Sequence, residues 1–241
     1  MNTETRKLIK RSSRESDLRK MFKVREMSSI STLEFAWEHY PWGSTYGHFE
    51  EVMDESYFCV RVAETNKLEL LKWAREEKKC EWDEGTINAA ARQGNLEMVK
   101  YCFANDCPIN ETACSNAAAN GHLECLKYLH EEAKAPWDSW TAAGAASNGH
   151  LHILEYLVER KYDICMYESN EYACKYAAKN GHLDCLKYLR ETAKAPWDEG
   201  AVRYAHYAHK NNQPECLQYL LDNDCPLPNG WRYERGELYA S

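Results

Sequence analysis

The sequence predicts an all-α fold: a helical-repeat solenoid of about five to six helix-turn-helix units, closed by degenerate terminal caps. Three observations predict it. The phrase Asn120-Gly121-His122-Leu123-Glu124-Cys125-Leu126-Lys127-Tyr128-Leu129 returns at 180–189 with Asp184 in place of Glu124, and both copies run on into Ala-Lys-Ala-Pro-Trp-Asp, ending at Asp138 and Asp198. Looser copies anchor at positions 66, 94, 149 and 212, so that successive anchors are 27 to 32 residues apart, room for two short helices and a turn. A pair of small residues precedes each anchor: Val62-Ala63, Ala90-Ala91, Ala117-Ala118, Ala145-Ala146, Ala177-Ala178 and Ala208-His209. Self-similarity at a fixed period means stacked modules that bury a shared core only against their neighbours.

Along the chain, residues 1–17 form a basic N-terminal segment, and 18–56 read as a degenerate repeat or cap. Within that cap, 31–42 resemble a worn second helix followed by a Pro41-Trp42 turn, and 43–47 a connector. The array proper occupies 57–228. In each unit, apolar residues three before the small pair (Cys59, Ile87, Cys114, Ala142, Cys174, Ala205) put one apolar face on a first helix. The alanines let helix axes approach toward the short end of the roughly 8–10 Å range. Gly94, Gly121, Gly149 and Gly181 then end that helix, because a left-handed C′ position suits Gly and, second, Asn, as at Asn66 and Asn212. A second helix follows, with Leu123, Cys125, Leu126 and Leu129 and their equivalents inward and Glu and Lys outward. The steps Trp82-Asp83, Trp137-Asp138 and Trp197-Asp198 supply an N-cap Asp for the next first helix and a Trp to cover the neighbouring unit's edge, or, alternatively, to stack on a ligand. About four extra residues fall in 162–172, and about three between Trp197 and Asn212, as an added helical turn or a longer loop. Residues 229–241 make a cap or tail, in which Trp231–Arg235 could start a further helix.

The Ala-Ala pair, the Gly-His-Leu-Glu step and the second-helix pattern resemble the ankyrin repeat in register over about 57–228. The chain departs from that family in two ways. The Thr-Pro-Leu-His opening is replaced by residues such as Thr112-Ala113-Cys114-Ser115 or Tyr172-Ala173-Cys174-Lys175, and several units are about five residues shorter than the usual ankyrin repeat of roughly 33. The missing length falls where the family has a projecting β-hairpin, so a clipped Pro-Trp-Asp turn with little or no strand is expected. The resemblance implies a non-enzymatic protein-protein interaction scaffold that binds its partner on a concave face built from the turns and the outward side of each first helix. The alternative is a substrate-recognition subunit of a ubiquitin-ligase or other enzyme complex, with residues 1–30 as a docking arm.

Composition narrows the partner. Residues 1–25 carry nine Lys or Arg and three acids, a net of +6; the remainder must be −14 to reach the stated −8. The block Arg6-Lys7-Leu8-Ile9-Lys10-Arg11 suits a nuclear-import or polyanion patch, a solvated basic segment, or a helix packing on the acidic array. An array of that charge disfavours nucleic acid, whose binding rests on cationic contacts, and favours a basic or neutral protein partner. No apolar stretch reaches the roughly 18–20 residues of a membrane span, and no secretory signal core is evident, so a cytoplasmic setting is expected, with a nuclear one open. The eleven cysteines interchange with Ile, Met, Leu and Ala at equivalent positions and have no C-x-x-C spacing, which reads as reduced, buried thiols. His122, His150 and His182 recur once per unit, too far apart for one metal ion, and belong to the helix–helix turn. No phosphate loop, nucleophile elbow or zinc-protease motif is present. Neither a catalytic group nor a cofactor is expected.

With the structural positions subtracted, the first helices leave two variable rows. Arg61, Asn116, Tyr176 and Tyr207 stand in one, with Ala89 and Gly144; Asn88, Lys175 and His206 stand in the other. Trp140 could wall a pocket floored by Ala143 and Gly144. The candidate partner-binding set is therefore Arg61, Asn88, Asn116, Trp140, Lys175, Tyr176, His206 and Tyr207. Tyr is enriched at interface hot spots, although Tyr176 and Tyr207 serve equally as cover between first helices.

Overall fold

The computed structural model describes residues 24–40, 42–43, 45–46, 51–52, 54–161, 171–209 and 214–240. The basic segment 1–17 and the patch Arg6–Arg11 lie outside them, as does most of the 162–172 insertion. Two compact units, Met1–Ile109 and Asn110–Ser241, divide the chain. Both are built from helix pairs, as the periodicity predicts.

The first unit opens with a short 3-10 turn, Val24–Glu26, and helix α1, Ile30–Glu38. A reciprocal capping box between Ser29 and Thr32 starts α1. Strands β1 (Thr45–Tyr46) and β2 (Glu51–Val52) pair antiparallel in the connector. Two helix pairs follow: α2 (Glu55–Ala63) with α3 (Leu68–Lys72), and α4 (Glu84–Gln93) with α5 (Leu96–Ala104). Phe58 is fully buried, with the rings of Trp37, Tyr40 and Trp42 around it at 5.0–5.7 Å. Trp37, Tyr40 and Trp42 thus cover one side of α2.

The second unit holds four helix pairs: α6 (Glu111–Ala119) with α7 (Leu123–Lys127), α8 (Ser139–Ser147) with α9 (Leu151–Glu159), α10 (Glu171–Asn180) with α11 (Leu183–Glu191), and α12 (Glu199–His209) with α13 (Pro214–Asp222). First helices α6, α8, α10 and α12 lie side by side in that order. Their small pairs Ala117-Ala118, Ala145-Ala146 and Ala177-Ala178 are wholly buried. At Gly144 the approach is close enough that a Cβ would come within 2.9 Å of the Ala119 Cβ. Gly144 is therefore a helix-packing residue. After α13 the chain forms an antiparallel hairpin, β3 (Arg232–Glu234) with β4 (Glu237–Tyr239), and not the further helix that Trp231–Arg235 suggested. The reason is local: the left-handed pair Arg235 and Gly236 (φ +54° and +82°) makes a two-residue hairpin turn of the kind that twists with its strands.

The pairs share their framing devices. Among the described residues the first-helix N-caps are Asp54, Asp83, Asn110, Asp138 and Asp198, whose side chains accept backbone N–H groups at 2.8–3.1 Å. Gly94, Gly121, Gly149 and Gly181 take φ of +71° to +78° at the helix ends. The following N–H reaches back to Ala90, Ala117, Ala145 or Ala177, closing the Schellman pattern. A second left-handed position, invisible in the repeat pattern, ends the second helices. There Lys79, Asp106, Lys134, Lys161, Lys194 and Asp224 adopt φ of +55° to +60° without a glycine. Each Pro-Trp-Asp or equivalent turn is clipped as expected: 79–83, 134–138 and 194–198 carry no strand. The second helices α3 and α7 run into single π-turns, Trp73–Glu77 and Tyr128–Glu132. Among the described residues no helix is long and apolar enough to cross a membrane.

Candidate functional site

The first-helix face of the second unit is where side chains change from repeat to repeat on a fixed frame, and its register is set by the N-caps. Counting from Asp138, position six is Gly144; counting from Asp198, it is Tyr204. Ala145 and Ala205, one residue further on, are both fully buried. The small residue that aligns with the other pairs is therefore Ala205, and the row ending in Tyr176 continues to Tyr204 rather than Tyr207. The expectation that Tyr207 and His206 share rows with Tyr176 and Lys175 is thus corrected. It came from counting back from Asn212, across an α12 that is two residues longer than α8 and carries extra length at its C-terminal end.

Four rings gather on this face. Trp140 of α8 lies nearly parallel to Tyr172 of α10, with centroids 5.6 Å apart and planes 9° apart. Tyr176, one turn further along α10, is 6.0 Å from Tyr172 and 6.3 Å from Trp140. Tyr204 of α12 joins Tyr176 at 6.4 Å. Trp140 is 51% exposed and Tyr204 40%. Such separations lie within the range of favourable aromatic pairing. Lys179, exposed on α10, holds its Nζ 5.9 Å from the centroid of Tyr176 and 5.7 Å from that of Tyr204, within cation–π reach of both.

The other predicted residues fall elsewhere. Lys175 is buried, 8% exposed, with its Nζ 3.0 Å from Asp198 Oδ2 and 5.2 Å from the Tyr172 ring centroid. It holds two repeats together and is not a surface contact. His206 is half-buried and meets the Trp231 ring edge-on at 4.9 Å, so the C-terminal segment uses it. Tyr207 is the most exposed of the rings, at 58%. Asn116 is half-buried on α6. Arg61 and Asn88 belong to the first unit, where Arg61 is half-buried and pairs with Glu64 at 2.6 Å. Reasoning from the sequence missed Tyr172, Lys179 and Tyr204. Tyr172 occupies the place of Trp140 in its own helix, and the N-cap count would have found both tyrosines.

The remaining polar groups serve the frame. His150 and His182 lay their rings on Gly121 and Gly149 of the preceding pair, where a Cβ would sit 2.8 and 2.6 Å from ring atoms. His182 Nε2 is 3.1 Å from the Ser147 carbonyl, and burial lowers the pKa of His150 below its ordinary value. Each Trp of the Trp-Asp steps is stacked by the residue seven before it. Arg75 lies 4.6 Å from the Trp82 ring, His130 3.5 Å from Trp137, and Arg190 4.3 Å from Trp197. Trp82 and Trp197 also abut the next pair's Tyr101 and Tyr219 at 6.0 and 6.2 Å, the edge-covering role expected of them. Buried thiols donate to carbonyls across pairs: Cys80 to Glu55, Cys107 to Asp83 and Cys225 to Asp198, at 3.1–3.4 Å. Burial first, and then the Asp198 charge, push Cys225 up to about 12, which keeps it a thiol and not a nucleophile. Glu124 and Lys127, three residues apart on α7, form a surface ion pair at 2.9 Å.

Residues 86–168 and 143–229 match the family model described as ankyrin repeats (3 copies). A search of curated proteins returned no match.

Proposed function

The chain belongs to the ankyrin-repeat family, whose repeats generally mediate protein-protein interaction, and from that premise we propose that it is a non-enzymatic scaffold holding a partner protein on its first-helix face. The observation that carries this reading is the ring cluster Trp140–Tyr172–Tyr176–Tyr204. It leaves Trp140 and Tyr204 partly in solvent at the two ends of a ring cluster that spans three consecutive first helices. Aromatic side chains offer large contact area at low entropic cost and are enriched at interface hot spots. Burying more of an exposed Trp and Tyr stabilises a complex at about 25 cal/mol per Å² of apolar surface. A frame stiffened by N-caps, Schellman turns and buried alanine pairs presents them already ordered, so little conformational freedom is lost on binding.

The test is affinity capture with the full chain and with a Trp140→Ala/Tyr204→Ala variant, read by quantitative mass spectrometry. Both side chains are largely exposed, so far-UV circular dichroism of the variant should match wild type. Partners that bind this face should be depleted at least fivefold on the variant. Equal recovery on both proteins would reject the face as the binding surface.

A further inference from the structure

Resting on that reading of the ring cluster, we propose that its occupant is an acidic segment of a partner protein, seated by one apolar or proline side chain on the rings and by a carboxylate on Lys179. The sequence is −8 overall, yet the cations here are divided unequally. Lys175 is committed to Asp198 at 3.0 Å and Arg203 to Glu199 at 2.9 Å. Among the described residues no carboxylate pairs with Lys179. Its ammonium is instead held over Tyr176 and Tyr204, which fixes the head group at the edge of the ring cluster while leaving it exposed.

Such an ammonium is a preformed partner for an anion. A carboxylate arriving there makes a charge-assisted hydrogen bond at little ordering cost, because cation–π contact has already restricted the lysine. Beside it, Trp140, Tyr172 and Tyr176 form a near-equilateral triangle of rings with sides of 5.6, 6.0 and 6.3 Å. That platform suits a proline ring or a short apolar side chain, in the manner of aromatic-lined peptide grooves. An aromatic platform with a cation also suits single-stranded nucleic acid. The acidic balance of the chain, and a face on which Lys179 is the one uncommitted cation among the described residues, favour a peptide, since nucleic-acid affinity requires several phosphate contacts.

The experiment is selection of random dodecamer peptides displayed on phage against the immobilised full chain, in parallel with Lys179→Glu and Trp140→Ala. Circular dichroism verifies that each variant is folded. Wild type is expected to enrich peptides with Asp or Glu next to proline or an apolar residue. A synthetic copy of the leading peptide should bind Lys179→Glu at least tenfold more weakly by fluorescence anisotropy, and Lys179→Glu should itself select Lys- or Arg-bearing peptides. Enriched peptides that depend on Trp140 but show no acidic preference would overturn this inference and leave the ring face as the binding surface. No enrichment, or enrichment indifferent to Trp140→Ala, would overturn both. Tighter binding of a labelled twelve-nucleotide oligothymidylate than of any selected peptide, lost in Trp140→Ala, would replace the peptide with a nucleic-acid strand.

Discussion

Lys175 reaches Asp198 across a glycine: the ammonium sits 3.0 Å from the carboxylate, and a Cβ at Gly200 would lie 2.6 Å from the lysine Cε. The equivalent residue two repeats earlier is Ser115, whose hydroxyl meets Asp138 at 3.1 Å. Two aspartates with the same capping role thus face partners of different charge. Asn caps helices about as well as Asp, so substitution by Asn isolates the charge. Asp198→Asn withdraws the counter-charge from a buried ammonium and should cost about 1–3 kcal/mol. Asp138→Asn should stay within about 0.5 kcal/mol. Urea midpoints of the two variants measure the difference.

Outer tyrosines tie consecutive second helices. Tyr101 donates to Glu76 at 3.0 Å, Tyr156 to Glu131 at 3.0 Å and Tyr219 to Glu191 at 2.8 Å. Burial, with the hydrogen bond and charge of the glutamate, raises each phenol above its ordinary 10, Tyr219 to about 12. A phenol with a raised folded pKa keeps its proton longer in the native state than in the unfolded one. Its stabilising contribution is full below pH 10 and is lost as pH rises from 10 through about 12. Wild-type stability should therefore fall across that window. Tyr219→Phe, which cannot ionise, should be less stable than wild type at pH 8, and the gap should narrow by pH 11. Urea titrations of both proteins at the two pH values test this, and a constant gap would contradict it.

Left-handed positions supply a matched pair of opposite outcomes. Gly149 has φ +75°, and a Cβ there would lie 2.6 Å from His182 Nδ1. Gly149→Ala meets both backbone strain, roughly 1–2 kcal/mol, and the displaced imidazole, and should destabilise by about 2 kcal/mol or more. Lys79 holds φ +57° with an exposed side chain. Lys79→Gly relieves that strain against an added unfolded-state entropy of roughly 0.5–1 kcal/mol, and should stabilise by about 0.5 kcal/mol. Thermal melts of the two variants should shift in opposite directions.

The repeat frame was legible because it is written in composition: Gly at C′, Asp after Trp, and alanine pairs where helices touch. What the sequence concealed were features that repeat in geometry but not in residue type. Lys79, Asp106, Lys134, Lys161, Lys194 and Asp224 share one backbone conformation with no shared small residue; after five of them the next N–H reaches back to a carbonyl five or six residues earlier, which closes the turn. The Arg75–Trp82, His130–Trp137 and Arg190–Trp197 stacks mix His with Arg and so escape a pattern search. The candidate site suffered from register. Longer α12 admits two alignments, and only burial of Ala201, Val202 and Ala205 decides for the one counted from Asp198. Nothing in the helix of Lys175 signals its burial, because the Gly200 and Asp198 it packs against belong to the next repeat.

Register also yields the sharpest functional test. Tyr204 and Tyr207 are both exposed, at 40% and 58%, on the same helix three residues apart. Neither truncation should cost the fold more than about 0.5 kcal/mol. Only Tyr204 extends the cluster, 6.4 Å from Tyr176 and sharing Lys179 with it; the ring beside Tyr207 is His206, at 5.9 Å. Removing Tyr204 deletes part of the apolar platform and half of the support for the lysine, a loss typical of an interface hot spot. Tyr204→Ala should therefore weaken binding of a captured partner about tenfold, equivalent to about 1.4 kcal/mol, and Tyr207→Ala by less than about twofold. Isothermal titration of both variants against that partner decides the point. The reverse order would move the binding face one helical turn along α12.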